Sequence, residues 1–311
     1  MLSRVADSLF WMSRYMERTD SIMRMLKTNY AASQDTGGGF TWQPVLKIFT
    51  ALKTEDANAL EKDSRVVLQY MVTDRENDNS VFNMVTLARE NARSVQDHIT
   101  IELWQCLNAF YHLVRDERIE DGLKHDDPIT TLDSLIKQSM VYYGISESTM
   151  FRGEGYSFMN LGRYLERALQ SIHVLDVKFS DLSYDLEKTA DITYWKHLLL
   201  SISGYNLYLK TYRSGFEARN ILHQVIFNTD FPRSVLYSLN QLEYNFHQLQ
   251  NDVDGESFRN INFAIGRLRS KIQYSNLEHV SKVGLHNYLV GINEDLLEIG
   301  KALNQYYFAY S

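Results

Sequence analysis

Apolar residues recur at intervals of three and four along most of the chain, which is the spacing of one buried face of an α-helix. The first helix is predicted to bury Val5, Leu9, Met12, Met16, Met23, Leu26 and Tyr30. A second helix, predicted over about 81–116, would bury Val81, Val85, Ala88, Ala92, Val95, Ile99, Leu103, Cys106, Phe110 and Leu113. A middle helix would bury Phe158, Leu161, Leu165, Ala168, Ile172, Leu175 and Phe179.

Loop residues separate these stripes. Clusters of Gly, Asp, Asn and Ser occur at 33–39, 73–80, 124–128, 152–155 and 251–257. Only three prolines interrupt the 311 residues and 44% of the residues are hydrophobic, so long helices around a large core are possible. The pattern predicts an all-α fold, a multi-helix bundle of about eight to ten helices. We expect one domain over 1–311, with a possible division into two lobes near residue 150.

One polar motif occurs twice. SRYMERTDSIMRML at 13–26 returns as GRYLERALQSIHVL at 162–175, with Arg, Glu and Arg at the same spacings 149 residues later. The repeated residues are Arg14, Glu17 and Arg18 in the first segment and Arg163, Glu166 and Arg167 in the second. An internal duplication of this helix is one interpretation, and chance likeness between two amphipathic helices is the other.

The charged residues of both segments fall opposite the apolar stripes when each helix is advanced by about 100° per residue. Apolar residues lie beside them on the same faces, namely Phe10, Trp11, Met25, Met159 and Val174. Because such residues are poor choices for a wet surface, we expect the charged side chains to be enclosed. We also expect the two helices to bring them together in one sheltered pocket.

Two further segments place arginine on the polar side or at the beginning of a predicted helix. One side of the helix predicted over 81–116 is polar and holds Glu90, Arg93, Asp97, Trp104 and Asn108. In TDFPRSVLYSL at 229–239, Arg233 falls in the first turn of a predicted helix, where the positive helix end disfavours a cation. The position of Arg233 therefore indicates an acidic group nearby, from another helix or from a ligand.

Two interpretations of the arginine and glutamate residues stay open. In the structural one, they form salt bridges between helices, and removing one partner of such a buried pair costs about 3–5 kcal/mol. In the functional one, two arginines for each glutamate leave positive charge, which a carboxylate or phosphate can neutralise by pairing with the planar guanidinium group.

Composition and motifs narrow the classes of function. Basic residues number 32 against 39 acidic ones, and no Lys/Arg run is present, so we expect no nucleic-acid partner. The single cysteine and the absence of metal, nucleotide or hydrolase motifs predict no metal and no cofactor. No stretch of about 18 apolar residues occurs, and charges interrupt the first 20 residues, so we expect no membrane partner and a cytoplasmic location.

Five segments resemble, in order, the bacterial alpha-E family: MLSRVADSLFWMSRYMER at 1–18, LARENARSVQDHITIELWQCLN at 87–108, GRYLERA at 162–168, FPRSV at 231–235 and GLHNYL at 284–289. That family is an all-helical domain of unknown function, named for its Glu-Arg motif. The resemblance places its recurrent polar residues at Arg14, Glu17, Arg18, Arg89, Glu90, Arg93, Arg163, Glu166, Arg167 and Arg233. Ser13 stands where the family usually has glycine.

Alpha-E proteins occur beside, or fused to, circularly permuted ATP-grasp amide ligases. The resemblance therefore implies an accessory or binding protein for a separate ATP-grasp partner in peptide synthesis or modification. The arginine-lined faces would hold an acidic peptide or a phosphorylated intermediate. One alternative is an enzyme acting on a peptide or amide with Glu17 or Glu166 as general base, and another is a structural oligomerisation module.

Overall fold

The computed structural model describes residues 1–34, 40–213, 215–249 and 255–308. Sixteen α-helices and no strand occur in these ranges, which confirms the all-α fold. The loops predicted at 33–39 and 251–257 lie largely outside the described residues.

The chain divides into two compact units, and the boundary falls inside the first helix, α1 (Ser3–Ser33). The split unit comprises Met1–Phe10 and Arg152–Ser311, and the continuous unit comprises Trp11–Phe151. The expectation of one domain over 1–311 stays a prediction.

The continuous unit contains the larger part of α1 and, in the described ranges, seven further helices. These are α2 (Gln43–Phe49), α3 (Thr54–Leu60), α4 (Ser64–Val72), α5 (Val81–Ser94), α6 (Ile101–Val114), α7 (Glu117–Lys124) and α8 (Pro128–Thr149). Side-chain contacts between α1 and α8 include Ser13 with Tyr142, Asp20 with Ser139, and Lys27 with Asp133. The numbers fall along α8 as they rise along α1, so the two helices run antiparallel.

Four long helices form the core of the split unit: α9 (Glu154–Ser180), α13 (Val235–His247), α14 (Glu256–Gln273) and α16 (Leu285–Leu303). Helices α9 and α14 each pack against both α13 and α16, which is the neighbour pattern of a four-helix bundle. The other helices of this unit are α10 (Ile192–Ser201), α11 (Tyr205–Thr211), α12 (Ala218–Ile226) and α15 (Leu277–Val283). A π-helical segment, Asn304–Phe308, follows α16.

Helix α9 passes very close to the beginning of α1 within the split unit. A Cβ atom placed on Gly162 would lie 2.2 Å from the carbonyl oxygen of Phe10. Only glycine fits this crossing, because any other residue would drive its Cβ into main-chain atoms. The ring of Phe10 then packs 5.0 Å from the ring of Phe308.

The prediction of one long helix over 81–116 is wrong. The chain leaves the helical conformation at Val95 (φ −130°, ψ 30°) and makes a 3-10 turn over Gln96–His98. Thr100 then caps α6, because its hydroxyl accepts a hydrogen bond of 3.2 Å from the Leu103 N–H. Since α5 and α6 pack against each other, the apolar stripe belongs to two buried faces that meet. Asp97 lies in the turn, so the single polar side predicted along this helix is wrong as well.

The prediction of eight to ten helices is also wrong. Eight of the sixteen helices in the described chain have ten residues or fewer, which is under about three turns and too short for a clear apolar period. Several begin at a polar side chain that accepts a hydrogen bond from a backbone N–H two or three residues later. These capping residues are Asp63, Asp116, Asp191 and Asn276.

Candidate functional site

Glu17 lies on the part of α1 that belongs to the continuous unit, and its side chain is fully buried. Its Oε2 atom accepts a hydrogen bond of 2.6 Å from the Tyr143 hydroxyl. Asp20, one turn further on, is also fully buried and accepts hydrogen bonds from Ser139 at 2.7 Å and from Arg24 Nε at 2.8 Å. Helix α8 thus supplies a hydroxyl donor to each of two buried carboxylates of α1.

The charge of Asp20 is matched by Arg24 on the same helix. Burial acts to lower the pKa of Arg24, but the hydrogen bond and the charge of Asp20 outweigh burial and raise this pKa above its usual value. Sequence reasoning missed Asp20, although its i,i+4 spacing from Arg24 is a signal for such a pair. Ser139 and Tyr143 gave no signal, because they come from a helix more than 100 residues away.

The two arginines of the first Glu-Arg segment are half-buried. The guanidinium carbon of Arg14 lies 4.6 Å from the centroid of the Trp11 ring. Arg18 donates from Nη1 to the Asn79 side-chain oxygen at 3.2 Å. These two contacts lie within the continuous unit, one with an aromatic ring and one with a neutral amide.

Arg89, Glu90 and Arg93 lie on α5 and form a small ion-pair group. Arg89 Nη1 is 2.7 Å from Glu90 Oε1, and Arg93 Nη1 is 3.4 Å from Glu90 Oε2. The Nε atom of Arg89 donates to Asn108 on α6 at 2.8 Å, and Arg93 is 63% exposed. Glu90 thus serves both arginines, and Arg89 also ties α5 to α6. A binding role for these three residues stays a prediction.

In the split unit, Glu166 is the buried carboxylate of the second Glu-Arg segment. It is 0% exposed and accepts a hydrogen bond of 2.9 Å from Gln170 on its own helix. Arg167, only 5% exposed, donates from Nη1 to the carbonyl oxygen of Pro232 at 3.2 Å. The Ser171 hydroxyl donates to the carbonyl oxygen of Arg233 at 2.6 Å. Helix α9 therefore fixes the segment that leads into α13.

Two arginines of α9, Arg163 and Arg167, lie near a tyrosine ring beside this connection. Arg233 lies in the turn before α13, not in its first turn as predicted, and accepts the Ser171 hydrogen bond through its carbonyl oxygen. We call the group the α9–α13 cluster: Arg163, Tyr164, Arg167, Arg233 and Tyr237. The guanidinium carbons of Arg163 and Arg167 each lie 5.3 Å from the centroid of the Tyr164 ring. That ring is 6.1 Å from the ring of Tyr237, in the first turn of α13. Because Ser234 caps this helix at its positive end, the cluster combines guanidinium groups with a helix N-terminus.

The residues that the structure describes give no indication of metal binding or of thiol chemistry. They hold no group of three or more His, Cys, Asp and Glu side chains able to bind a metal ion together. Burial raises the pKa of the Cys106 thiol to about 11, so the reactive thiolate is disfavoured at neutral pH. Across the same ranges, no helix is both long and apolar enough to cross a membrane, and a cytoplasmic location stays a prediction.

The two Glu-Arg segments belong to different units, Glu17 to the continuous unit and Glu166 to the split unit. Each glutamate is buried with a hydrogen-bond donor from its own unit. The expectation that both helices share one pocket stays a prediction.

Comparison with known proteins gives relatives along almost the whole chain. Uncharacterized proteins of Mycobacterium bovis and of two Mycobacterium tuberculosis strains are 22% identical to it over 335 aligned residues. The match covers 96% of this chain but 36% of each relative, so the chain spans little more than a third of their length. No solved structure matches it. The Alpha-E family, described as a predicted alpha-helical domain with a conserved ER motif, matches residues 1–308, and the chain therefore belongs to that family.

Proposed function

We propose that this protein is a binding component that works with an ATP-grasp amide ligase in peptide synthesis or modification. It holds an acidic peptide or a phosphorylated intermediate at the α9–α13 cluster. The observation that supports this role is the approach of Arg163 and Arg167 to one tyrosine ring beside the N-terminus of α13. Guanidinium groups pair with carboxylate and phosphate oxygens in a bidentate way, and a helix N-terminus adds N–H donors and positive potential.

The cluster is held in place by its own unit before any ligand arrives. Arg167 and Ser171 bind the carbonyl oxygens of Pro232 and Arg233, so the backbone around Arg233 is fastened to α9. The Tyr237 N–H donates a hydrogen bond of 3.0 Å to the hydroxyl oxygen of Ser234, which caps α13. A site that is already ordered loses less conformational entropy when it binds, which favours a binding role for these residues.

The proposed ATP-grasp partner rests on the family resemblance. The mycobacterial relatives are much longer than the matched region, and most of their length lies outside it. That extra length gives room for a fused partner domain in those proteins. Co-elution of this protein with a circularly permuted ATP-grasp protein in size-exclusion chromatography tests the partnership, and separate elution at micromolar concentration would count against it.

Anion binding at the cluster is tested by titrating the protein with a tri-glutamate peptide and with a phosphoserine peptide. Arg163→Gln removes one of the two guanidinium groups near the Tyr164 ring and should weaken binding on the order of tenfold, the equivalent of about 1.4 kcal/mol. Arg267→Gln is the matched control, because Arg267 is an exposed arginine of the same unit that pairs with Asp295 and Glu298. Equal affinity in both variants would contradict the proposal.

A catalytic role for Glu17 or Glu166 has less support. Both side chains are 0% exposed and already accept hydrogen bonds, whereas a general base must come within about 2.6–3.2 Å of the proton it removes. Glu17→Gln distinguishes a binding protein from an enzyme with this glutamate as general base. If the variant still folds and binds the ligase but no longer forms product, the enzyme is favoured. A fall in melting temperature for every Arg and Glu variant, without any ligand effect, would favour the structural module.

A further inference from the structure

A second feature of the split unit is a groove of about 550 Å³, formed by α12, the first turn of α13 and the segment leading into α15. Roughly 300–1,000 Å³ is the usual range of small-molecule sites. The side chains that matter here are Arg219, His223, Phe227, Leu236, Asn276 and Glu278. None of the three arginines of the α9–α13 cluster lines this groove.

One side of the groove offers donors for a carboxylate. Arg219, on α12, binds Glu187 through Nε at 2.6 Å and through Nη2, so its Nη1 group is left for a ligand. One turn later, His223 shares a hydrogen bond of 2.7 Å between its Nδ1 atom and the Tyr212 hydroxyl, which leaves Nε2. Burial lowers the pKa of His223, so the neutral ring is favoured and Arg219 supplies the positive charge.

The segment at α15 offers the opposite charge. Glu278 is exposed, and it forms no ion pair with any residue in the described ranges. The side-chain amide of Asn276 lies beside it in the groove, and Phe227 and Leu236 supply apolar surface. The groove therefore presents a cation, an anion and an apolar lining within one small volume.

A buried hydroxyl next to the groove lacks a partner at good hydrogen-bond geometry in the described part of the chain, although the Ser275 side chain lies close to it. Tyr288 is 3% exposed, its oxygen has no hydrogen-bond partner there, and its ring lies 6.4 Å from that of Phe227. Burial raises the pKa of Tyr288, although the nearby Ser275 side chain opposes the rise. The hydroxyl therefore stays protonated and can donate a hydrogen bond. A ligand group that reaches this hydroxyl would remove the cost of leaving it unpaired.

We infer that this groove binds a small zwitterion, an amino acid or dipeptide with an apolar side chain. Its carboxylate binds Arg219 and His223, its ammonium group binds Glu278, and its apolar side chain packs on Phe227 and Leu236. Glu278 would repel a simple anion, and Arg219 would repel a simple cation. A molecule that carries both charges therefore fits best. This site goes beyond the proposed function, because it uses neither the α9–α13 cluster nor the ATP-grasp partner.

Calorimetric titration of the full chain with the dipeptide glycyl-leucine tests the inference. Arg219→Gln and Glu278→Gln should each weaken binding on the order of tenfold, and Arg267→Gln, the exposed ion-paired control, should leave binding unchanged. Two blocked probes identify which end of the dipeptide each residue holds. N-acetyl-glycyl-leucine, an anion, should bind Glu278→Gln at least as tightly as wild type, and glycyl-leucine amide, a cation, should bind Arg219→Gln at least as tightly as wild type.

These paired probes separate recognition from damage to the fold, since a distorted groove would weaken every probe in every variant. Circular dichroism melts of the three variants check the fold independently. The inference is overturned if wild type binds no glycyl-leucine at millimolar concentration. It is equally overturned if Glu278→Gln weakens the acetylated probe as much as it weakens the free dipeptide.

Discussion

The two Glu-Arg segments share their spacing in sequence but not their surroundings. Glu17 and Glu166 are both fully buried, and each accepts a hydrogen bond from an uncharged side chain. One donor to Glu17 is Tyr143, 126 residues away on another helix, and one donor to Glu166 is Gln170, one turn along the same helix. The shared feature of the motif is thus a buried carboxylate, and these two donors differ in residue type and in distance along the chain.

The residues on either side of the glutamates differ even more. Arg18 is half-buried on the neutral amide of Asn79, whereas Arg167 is almost fully buried on the backbone carbonyl of Pro232. Ser13 makes a hydrogen bond of 3.1 Å with Tyr142, whereas Gly162 lies where no Cβ fits. In these contacts Gly162 and Arg167 meet main-chain atoms, whereas Ser13 and Arg18 meet side chains, so we expect substitutions at Gly162 and Arg167 to cost more.

The largest loss of stability should come from substituting Gly162. Gly162→Ala would place a Cβ atom 2.2 Å from the Phe10 carbonyl oxygen and force α9 away from α1 within the split unit. We expect the free energy of unfolding to fall by about 3 kcal/mol, the upper end of overpacking costs, despite the higher helix propensity of alanine. Urea denaturation followed by circular dichroism measures this change.

Gly266→Ala is the control for that substitution. Gly266 also lies inside a helix of the split unit, α14, but its added Cβ would have no atom within 4 Å. This variant should gain roughly 0.5–1 kcal/mol from helix propensity alone. A Gly162→Ala protein as stable as Gly266→Ala would show that the close crossing is not present in solution.

The next largest effect should distinguish Arg167 from Arg18. Arg167→Met leaves the Pro232 carbonyl oxygen without its charged donor and should lower the free energy of unfolding by about 2.5 kcal/mol. Arg18→Met removes a hydrogen bond from a half-buried guanidinium group to the neutral side chain of Asn79 and should cost less, about 1 kcal/mol. Hydrogen exchange adds a local test, because the amides that follow Pro232 should exchange faster in Arg167→Met only. Equal losses in both variants would remove the distinction between main-chain and side-chain anchoring.

Much of the helical fold could be predicted from the sequence, because long helices repeat their apolar period many times. The stripes beginning at Val5 and Phe158 correctly predict α1 and α9. The stripe at 81–116 misled, since two helices that fold back on each other continue the same period across the turn at Gln96–His98. Periodicity reports which residues are buried, but it does not report where the chain reverses.

The candidate site could be predicted only in part. The helical period identified the face that carries Glu17 and Glu166, and both side chains are buried. The partners of the arginines could not be predicted, because the Pro232 carbonyl oxygen is a backbone group with no side-chain signature. The requirement for glycine at 162 likewise depends on a helix crossing that only tertiary structure reveals.

A smaller effect should distinguish the donors to the two glutamates. Tyr143→Phe removes the hydroxyl that donates to Glu17 and should lower the free energy of unfolding by about 2 kcal/mol, as for hydrogen bonds to charged groups. Gln170→Met should cost about 1 kcal/mol, because it also removes the buried Gln170 Oε1 atom, which has no partner in the described part of the chain. Chemical denaturation of both variants measures the difference, and a costlier Gln170→Met would reverse the interpretation.

The smallest effect concerns Ser13, which holds the position in the first Glu-Arg segment that Gly162 holds in the second. Its hydroxyl and that of Tyr142 are both buried and lie 3.1 Å apart, so either removal leaves the other oxygen with one partner fewer. Ser13→Ala and Tyr142→Phe should each lower the free energy of unfolding by about 1 kcal/mol. In the double variant the losses should not add, because the second substitution removes a group that has already lost this contact. A double-mutant cycle by urea denaturation gives the coupling energy directly, and additive losses would mean that this serine does not join α1 to α8.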